Sequence, residues 1–160
     1  MKRLATTALL LFLCSCDMAP KQKHEAASEY RAPSATELFD LQSRCTTMGE
    51  KVLERNIIGL ALKHEQVSHY NPKDNRCYVK LSVSTADLAT PLENYVKNDY
   101  LYDGQSRELL ADTFVKDRTK TGFVFDSSMK TLMQEKNQSN TDFDAISELI
   151  NSFVATERTQ

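Results

Sequence analysis

The spacing of apolar side chains predicts a long amphipathic helix at the start of the folded part of the chain. Residues 34–37, Ser-Ala-Thr-Glu, match a capping box, in which a hydroxyl and a carboxylate three residues apart satisfy free backbone N–H groups. Apolar residues then recur at alternating intervals of three and four and so share one helix face: Leu38, Leu41, Cys45, Met48 and Val52. We therefore predict a helix over residues 34–56, ended or bent by Gly59.

Alternation of apolar and polar residues predicts strands after this helix. Cys77, together with three aliphatic residues at intervals of two, lies on one side of its strand, and Tyr78 lies on the other. Asp103-Gly104 is a strong hairpin signal, residues 71–75 are rich in turn formers, and residues 90–97 are ambiguous. The predicted strands are, in order, residues 67–70, 77–83, 100–102, 109–115 and 123–125.

The last third of the chain predicts one or two helices. Asp126 caps a short helix, residues 137–140 form a break, and Asn140 or Thr141 caps a final helix. The order of elements gives an α+β fold, in which the N-terminal amphipathic helix packs on an antiparallel meander of about five strands. A cystatin-like wrapping of a sheet around a helix would fit this order as a fold-level analogy.

The composition excludes several classes of function. The chain has 160 residues, 20 basic and 22 acidic, so its net charge of −2 gives no reason to expect nucleic-acid binding. Only four glycines are present, and neither a phosphate-binding loop nor a GxSxG nucleophile motif occurs. His64 and His69 lie five residues apart rather than the four that HExxH requires. We therefore expect no catalytic residue, no metal and no cofactor.

The first residues resemble the signal peptide of bacterial lipoproteins. A basic start, Met1-Lys2-Arg3, precedes the uncharged stretch 4–13, which is too short to cross a bilayer. The sequence Leu13-Cys14-Ser15-Cys16 is similar to a lipobox. The resemblance implies a signal peptide at 1–15, an acylated (palmitate-bearing) Cys16, a flexible tether at 16–33 and one domain at 34–160. An ordinary secretory signal and a buried N-terminal helix are the alternatives.

The residue after the lipidated cysteine bears on localisation. In enteric-type bacteria an Asp at this position marks lipoproteins that are retained in the inner membrane. By the same resemblance, Asp17 favours a domain that faces the periplasm from the inner membrane.

The remaining cysteines predict a disulfide. When Cys14 leaves with the signal peptide and Cys16 takes lipid, Cys45 and Cys77 form an even pair in an oxidising compartment. Both lie on predicted buried faces, one on the helix and one on a strand. A metal-binding pair and a free catalytic thiol are the alternatives.

Three tyrosines are candidates for partner binding. Tyr100 and Tyr102 share one strand face, and Tyr78 points away from the core side of its own strand. If the two strands are neighbours, these side chains form an exposed patch of a kind enriched in interfaces. The alternative is that helices cover this second face of the sheet.

Segments around residues 68–79 and 100–105 are similar to small uncharacterised bacterial envelope proteins. This resemblance implies an extracytoplasmic domain with a helix-to-strand disulfide, and it implies no activity. We expect a non-enzymatic, lipid-anchored module that binds an envelope protein, such as an accessory lipoprotein of a secretion or transfer machine or an immunity-type inhibitor. The alternatives are a periplasmic carrier of an apolar ligand and a small periplasmic hydrolase with an unrecognised site. Paired carboxylates for glycoside chemistry could come from Asp99, Asp103, Asp112 and Asp117, which bracket the central hairpin, although solvated strand edges and turns are the simpler interpretation of these residues.

Overall fold

The computed structural model describes residues 31–56, 61–86, 95–116 and 118–155. One helix precedes five strands and two helices follow them. The elements are α1 (Ala35–Asn56), β1 (Ala61–Asn71), β2 (Arg76–Ala86), β3 (Tyr95–Asp103), β4 (Leu109–Lys116), β5 (Thr119–Val124), α2 (Ser127–Glu135) and α3 (Phe143–Val154). All of them belong to one compact unit, Ala32–Gln160. The predictions for the signal peptide, Cys16, Asp17 and Gly59 concern residues outside the described ranges, and so does the part of the predicted tether before residue 31.

The strands form one antiparallel sheet in the order β1-β2-β3-β4-β5, which confirms the predicted α+β class and five-stranded meander. Each strand pairs with the next one in the chain, because the turns between most of them are short. Val79 of β2 lies opposite Ser68 of β1 and Tyr102 of β3. All five strands are longer than the sequence predicted, and β5 begins at Thr119 rather than Phe123.

Helices lie on both faces of the sheet. Helix α1 contacts β1 and β2, and its Cys45 and Val52 are buried with the inward residues of β2. We call this side of the sheet the α1 face. Helix α3 crosses the opposite side, the α3 face, where α2 adds Met129 and Met133 to a second apolar cluster. The fold therefore has three layers, with a hydrophobic core on each side of the sheet.

The start of α1 and its approach to β1 follow from local chemistry. The Ser34 backbone N–H donates to Glu37 Oε2 at 2.8 Å, so the predicted capping box is present. Gly49 lets the helix come close to β1, because a Cβ there would collide with the Ser68 hydroxyl. The Gln42 amide donates to the Ser68 carbonyl and accepts from the Tyr70 N–H, each at 2.9 Å. The Gln42 side chain thereby forms hydrogen bonds with backbone groups on the unpaired edge of β1.

A disulfide joins Cys45 of α1 to Cys77 of β2, as predicted, with Cα atoms 5.3 Å apart. Gly104 packs against this bond: its N–H donates to the Cys77 carbonyl at 2.7 Å, and a Cβ there would lie 2.6 Å from Cys77 Sγ. In the β3–β4 turn the positive φ falls on Arg107 and not on Gly104. Glycine is therefore required at position 104 because the backbone closely approaches the disulfide, and not because of the turn geometry that the Asp-Gly pair predicted.

The C-terminal helices begin at acidic caps. Asp126 caps α2 as predicted, because its carboxylate accepts from the N–H groups of Ser128 and Met129. Helix α3 is capped by Asp142, one or two residues later than the predicted Asn140 or Thr141. Its Asp142 Oδ1 accepts from the N–H groups of Asp144 and Ala145 at 3.1 and 3.3 Å. The apolar stripe of α3 is buried at Ile146, Leu149 and Ile150.

Candidate functional site

The three candidate tyrosines lie on two different faces of the sheet. Tyr78 pairs with Asp103, and its neighbour Val79 pairs with Tyr102, so Tyr78 and Tyr102 are one residue out of phase. A shift of one residue in a strand moves a side chain to the opposite face. Strands β2 and β3 are neighbours as predicted. The prediction that Tyr78, Tyr100 and Tyr102 form a single patch is wrong, because Tyr78 is on the opposite face of the sheet. A binding role for any one of them stays a prediction.

Tyr78 is covered on the α3 face, which is the alternative that the sequence left open. Its side chain is 3% exposed, and its ring centroid lies 4.5 Å from that of Phe153 in α3. The hydroxyl donates to Asp74 Oδ2 at 3.1 Å. Burial, followed by the negative charge of Asp74, raises the pKa of Tyr78 to about 12, so this phenol stays protonated at physiological pH.

Tyr100 and Tyr102 belong to the α1 face, where strands β3, β4 and β5 carry a group of aromatic side chains. The register places Tyr100, Asp112 and Phe123 in one row across three strands. We call this group the aromatic surface, and its members are Tyr100, Tyr102, Asp112, Phe114, Phe123 and Phe125. Helix α1 packs against β1 and β2 instead. Phe123 and Phe125 consequently remain 47% and 48% exposed, with ring centroids 6.5 Å apart.

Asp112 is the polar centre of this surface. Its Oδ1 atom is buried and has no hydrogen-bond partner in the described part of the chain. Burial raises the pKa of Asp112, and the backbone N–H of Phe123 opposes that shift. Burial, and then the charge of Asp112, also raises the pKa of Tyr100. The unpaired oxygen is thus enclosed by neighbouring groups, none of which donates a hydrogen bond to it.

The three described carboxylates among those considered for hydrolysis are divided between the two faces of the sheet. Asp99 and Asp103 lie on the α3 face, each beside a basic side chain: Lys97 Nζ is 3.3 Å from Asp99, and Arg76 Nε is 3.7 Å from Asp103. Asp112 is on the other face, because it pairs with Tyr100. Asp117 lies outside the described residues. Within the described ranges, no three His, Cys, Asp or Glu side chains are grouped as metal ligands.

A cleft of about 410 Å³ opens on the α3 face between the β1–β2 hairpin, α2 and α3. Its apolar wall consists of Met129, Leu132, Phe153 and the ring of Tyr78. Its polar rim consists of Asp74, Arg76 and Ser128. The volume is within the range of about 300–1,000 Å³ that is usual for small-molecule sites. The cleft thus combines an apolar wall with one basic and one acidic side chain.

Sequence reasoning missed both the aromatic surface and the cleft. Phe123 and Phe125 are two residues apart, and so are Asp112 and Phe114. This spacing indicates that the members of each pair share a strand face, and it could have revealed part of the aromatic surface. No comparable signal existed for the cleft, whose walls come from residues 74–78, 128–132 and 153. These segments meet only because α2 and α3 fold back onto the sheet.

No protein-family model, curated protein or solved structure matches this chain. None of the helices in the described ranges is both long enough and apolar enough to cross a membrane.

Proposed function

We propose that this chain is a lipid-anchored protein of the bacterial envelope that binds a protein partner without catalysing a reaction. The observation that carries the proposal is the aromatic surface on β3–β5, a sheet face with two phenylalanine rings about half exposed to solvent. Sheet faces of small domains are normally covered by another layer. A partner would supply the missing layer over these strands.

The chemistry of the aromatic surface suits protein binding. Each aromatic side chain can bury roughly 150–250 Å², and such residues dominate the energy of many interfaces. Tyr102 is 8% exposed and is a buried member of the apolar cluster under α1, whereas Tyr100 is partly buried and packs against that cluster, with its ring centroid 6.2 Å from that of Tyr102. We infer that α1, packed against β1 and β2, supports these strands as a rigid platform. Preorganisation of this kind lowers the entropic cost of binding.

Asp112 would give the interface its specificity. The partner would place a hydrogen-bond donor, such as a backbone N–H or a basic side chain, against the carboxylate, and the neighbouring side chains would move apart to open the buried Oδ1 atom to that donor. A partner without such a donor would leave Asp112 desolvated and unpaired, which disfavours binding. The proposed partner surface is therefore apolar around a single donor.

The anchor is proposed from the sequence. Cys16 would carry the lipid, and residues 16–33 would tether the domain on the periplasmic side, at the inner membrane if Asp17 acts as a retention signal. Incorporation of radiolabelled palmitate tests this step. Labelling that disappears in Cys16→Ala supports the anchor, and labelling that persists in this variant excludes Cys16 as the lipidated residue.

Crosslinking in intact cells tests the partner. We would capture the full chain through a C-terminal tag and quantify the proteins recovered with the unaltered chain and with Phe123→Ala/Phe125→Ala. The matched control is Phe39→Ala, since Phe39 is an exposed aromatic residue (73%) on α1 rather than on the aromatic surface. We expect one near-stoichiometric protein that the double variant loses at least about tenfold and the control retains. Equal recovery by all three chains would refute this binding surface.

A further inference from the structure

The cleft on the α3 face carries two opposite charges beside an apolar wall. We propose that it binds a free α-amino acid with an apolar side chain, with the ligand carboxylate on Arg76, the ligand ammonium on Asp74 and the side chain against the wall. This site is separate from the aromatic surface, which lies on the other face of the sheet. The inference therefore does not rest on the proposed partner binding.

The apolar wall is formed by side chains that the core already holds in place. Met129 is buried on α2, Leu132 is half-buried one turn further on, and the Phe153 ring packs on Tyr78. An aliphatic or aromatic ligand side chain would cover Leu132 and Phe153, which are partly exposed. Removing this surface from water is the main favourable term for binding the side chain.

Arg76 suits a carboxylate. Its side chain is 46% exposed and it is the only basic residue that lines the cleft within the described part of the chain. Asp103 contacts it through Nε at 3.7 Å, and a guanidinium has five N–H donors in a planar fork. Arg76 also interacts with the Tyr78 hydroxyl, and the donors that neither contact uses can bind a ligand carboxylate.

Asp74 suits an ammonium group. Its Oδ2 atom accepts from the Tyr78 hydroxyl at 3.1 Å and from the Asn71 amide at 2.9 Å. No hydrogen bond to its Oδ1 atom is present among the described residues, so this oxygen can accept from a ligand. Because Tyr78 remains a protonated donor, it holds the carboxylate at the rim as an acceptor.

The pair of charges selects among ligand classes. Asp74 and Arg76 are two residues apart in the hairpin, and both line the same cleft. A fatty acid would satisfy Arg76 but would leave Asp74 facing its chain, and a capped peptide segment would satisfy neither charge. A free amino acid has an ammonium group to complement Asp74 and a carboxylate to complement Arg76, and both groups are attached to the carbon atom that bears the side chain.

Equilibrium dialysis with radiolabelled L-leucine tests the proposal. The full chain would be reconstituted in nanodiscs, with empty nanodiscs as the blank. Leucinamide lacks the carboxylate and N-acetyl-leucine lacks the ammonium group, so each one isolates a single contact. We expect saturable leucine binding, and competition by either derivative that is at least about tenfold weaker than competition by leucine.

Two variants connect each ligand group to its residue. Arg76→Gln should weaken leucine binding about tenfold. It should leave competition by leucinamide unchanged, because leucinamide lacks the carboxylate that would contact Arg76. Asp74→Asn should weaken leucine binding and leave competition by N-acetyl-leucine unchanged. Arg44→Gln and Asp144→Asn are controls that remove exposed charges outside the cleft, and we expect them to bind leucine normally. Circular dichroism would verify that all four variants fold.

Four results would overturn the proposal. They are the absence of saturable leucine binding, equal competition by leucine and both derivatives, tighter binding of N-acetyl-leucine methylamide, and tighter binding of palmitate. The third result would assign the cleft to a peptide segment, and the fourth would assign it to an apolar carrier. None of them changes the result expected from the crosslinking of Phe123 and Phe125 variants, so the two proposals fail independently.

Discussion

Asp112 shows how one residue can set the character of a surface. Its carboxylate lies in a row between Tyr100 and Phe123, and one of its oxygens is buried without a hydrogen bond from the described residues. Burial disfavours the charged form of a carboxyl group and raises its pKa. A neutral amide at this position would avoid that penalty, so we expect asparagine to be more stabilising here than the native aspartate.

Asp112→Asn should therefore stabilise the protein at neutral pH. Because the pKa is raised in the folded state, the protonated form of Asp112 is favoured by folding. That contribution is present below the ordinary Asp pKa and is lost as the pH rises through the raised value. We expect the variant to have the higher free energy of unfolding near pH 7 and no advantage near pH 3, measured by urea unfolding at several pH values.

The control for this experiment is Asp40→Asn, which removes the same charge from an exposed position on α1. A gain of stability in both variants would attribute the effect to net charge rather than to the position of Asp112. A loss of stability in Asp112→Asn at pH 7 would contradict the predicted penalty.

At the scale of elements, short helices depend on their caps. Helix α2 has nine residues, a length at which an isolated helix is unstable in water. Two features stabilise it here: the Asp126 cap, and the burial of Met129 and Met133 against the sheet. The hydrogen bond from Ser128 is the main cause that lowers the pKa of Asp126, with further bonds from backbone N–H groups. The cap is therefore strongest when Asp126 is ionised.

Asp126→Ala should lower the free energy of unfolding by about 1 kcal/mol, a usual cost for a lost N-cap. Since the folded pKa is lowered, this contribution is present above the ordinary Asp pKa and disappears as the pH falls through the lowered value. Thermal unfolding near pH 7 should show a decrease of roughly 4 °C. The neighbouring Ser127→Ala is the control, and equal melting temperatures for the two variants would show that the cap is dispensable.

At the scale of the whole molecule, the fold consists of three layers, and the disulfide covalently connects two of them. Helix α1 belongs to one layer and β2 to the sheet, and Cys45 and Cys77 join them across 32 positions of sequence. The bond sits inside the apolar cluster of the α1 face, beside Val79 and Tyr102. It therefore restrains the unfolded chain and fixes α1 over the strands that flank the aromatic surface.

Replacing both cysteines with alanine should lower the free energy of unfolding by about 3–4 kcal/mol, according to the entropy of closing a loop of this length. Urea unfolding of the oxidised protein, the reduced protein and the double variant would measure the effect. We expect the reduced protein and the double variant to be similarly destabilised, and reductant to leave the double variant unchanged. Equal stability of all three forms would show that the bond does not support the fold.

Many features of this protein could be predicted from the sequence alone, because they depend on residues that are close together in the chain. The capping box fixed the start of α1, and period-two alternation identified the strand that carries Cys77. The count of cysteines identified the disulfide partners. The order of one helix, about five strands and then one or two helices followed from the same local signals, and the structure has five strands and two final helices. The start of α3 was misplaced, because several neighbouring polar residues are able to cap a helix and only one of them does so.

Tertiary structure decided the rest, since it depends on contacts between distant segments. The register between β2 and β3 placed Tyr78 opposite Asp103 and so separated it from Tyr100 and Tyr102. The positions of α1 and α3 determined which sheet residues are covered and left Phe123 and Phe125 exposed. The cleft joins a hairpin near residue 75 to side chains more than fifty positions later. No local pattern specifies that these segments come together, because they do so only when the apolar stripes of α2 and α3 are buried against the same sheet.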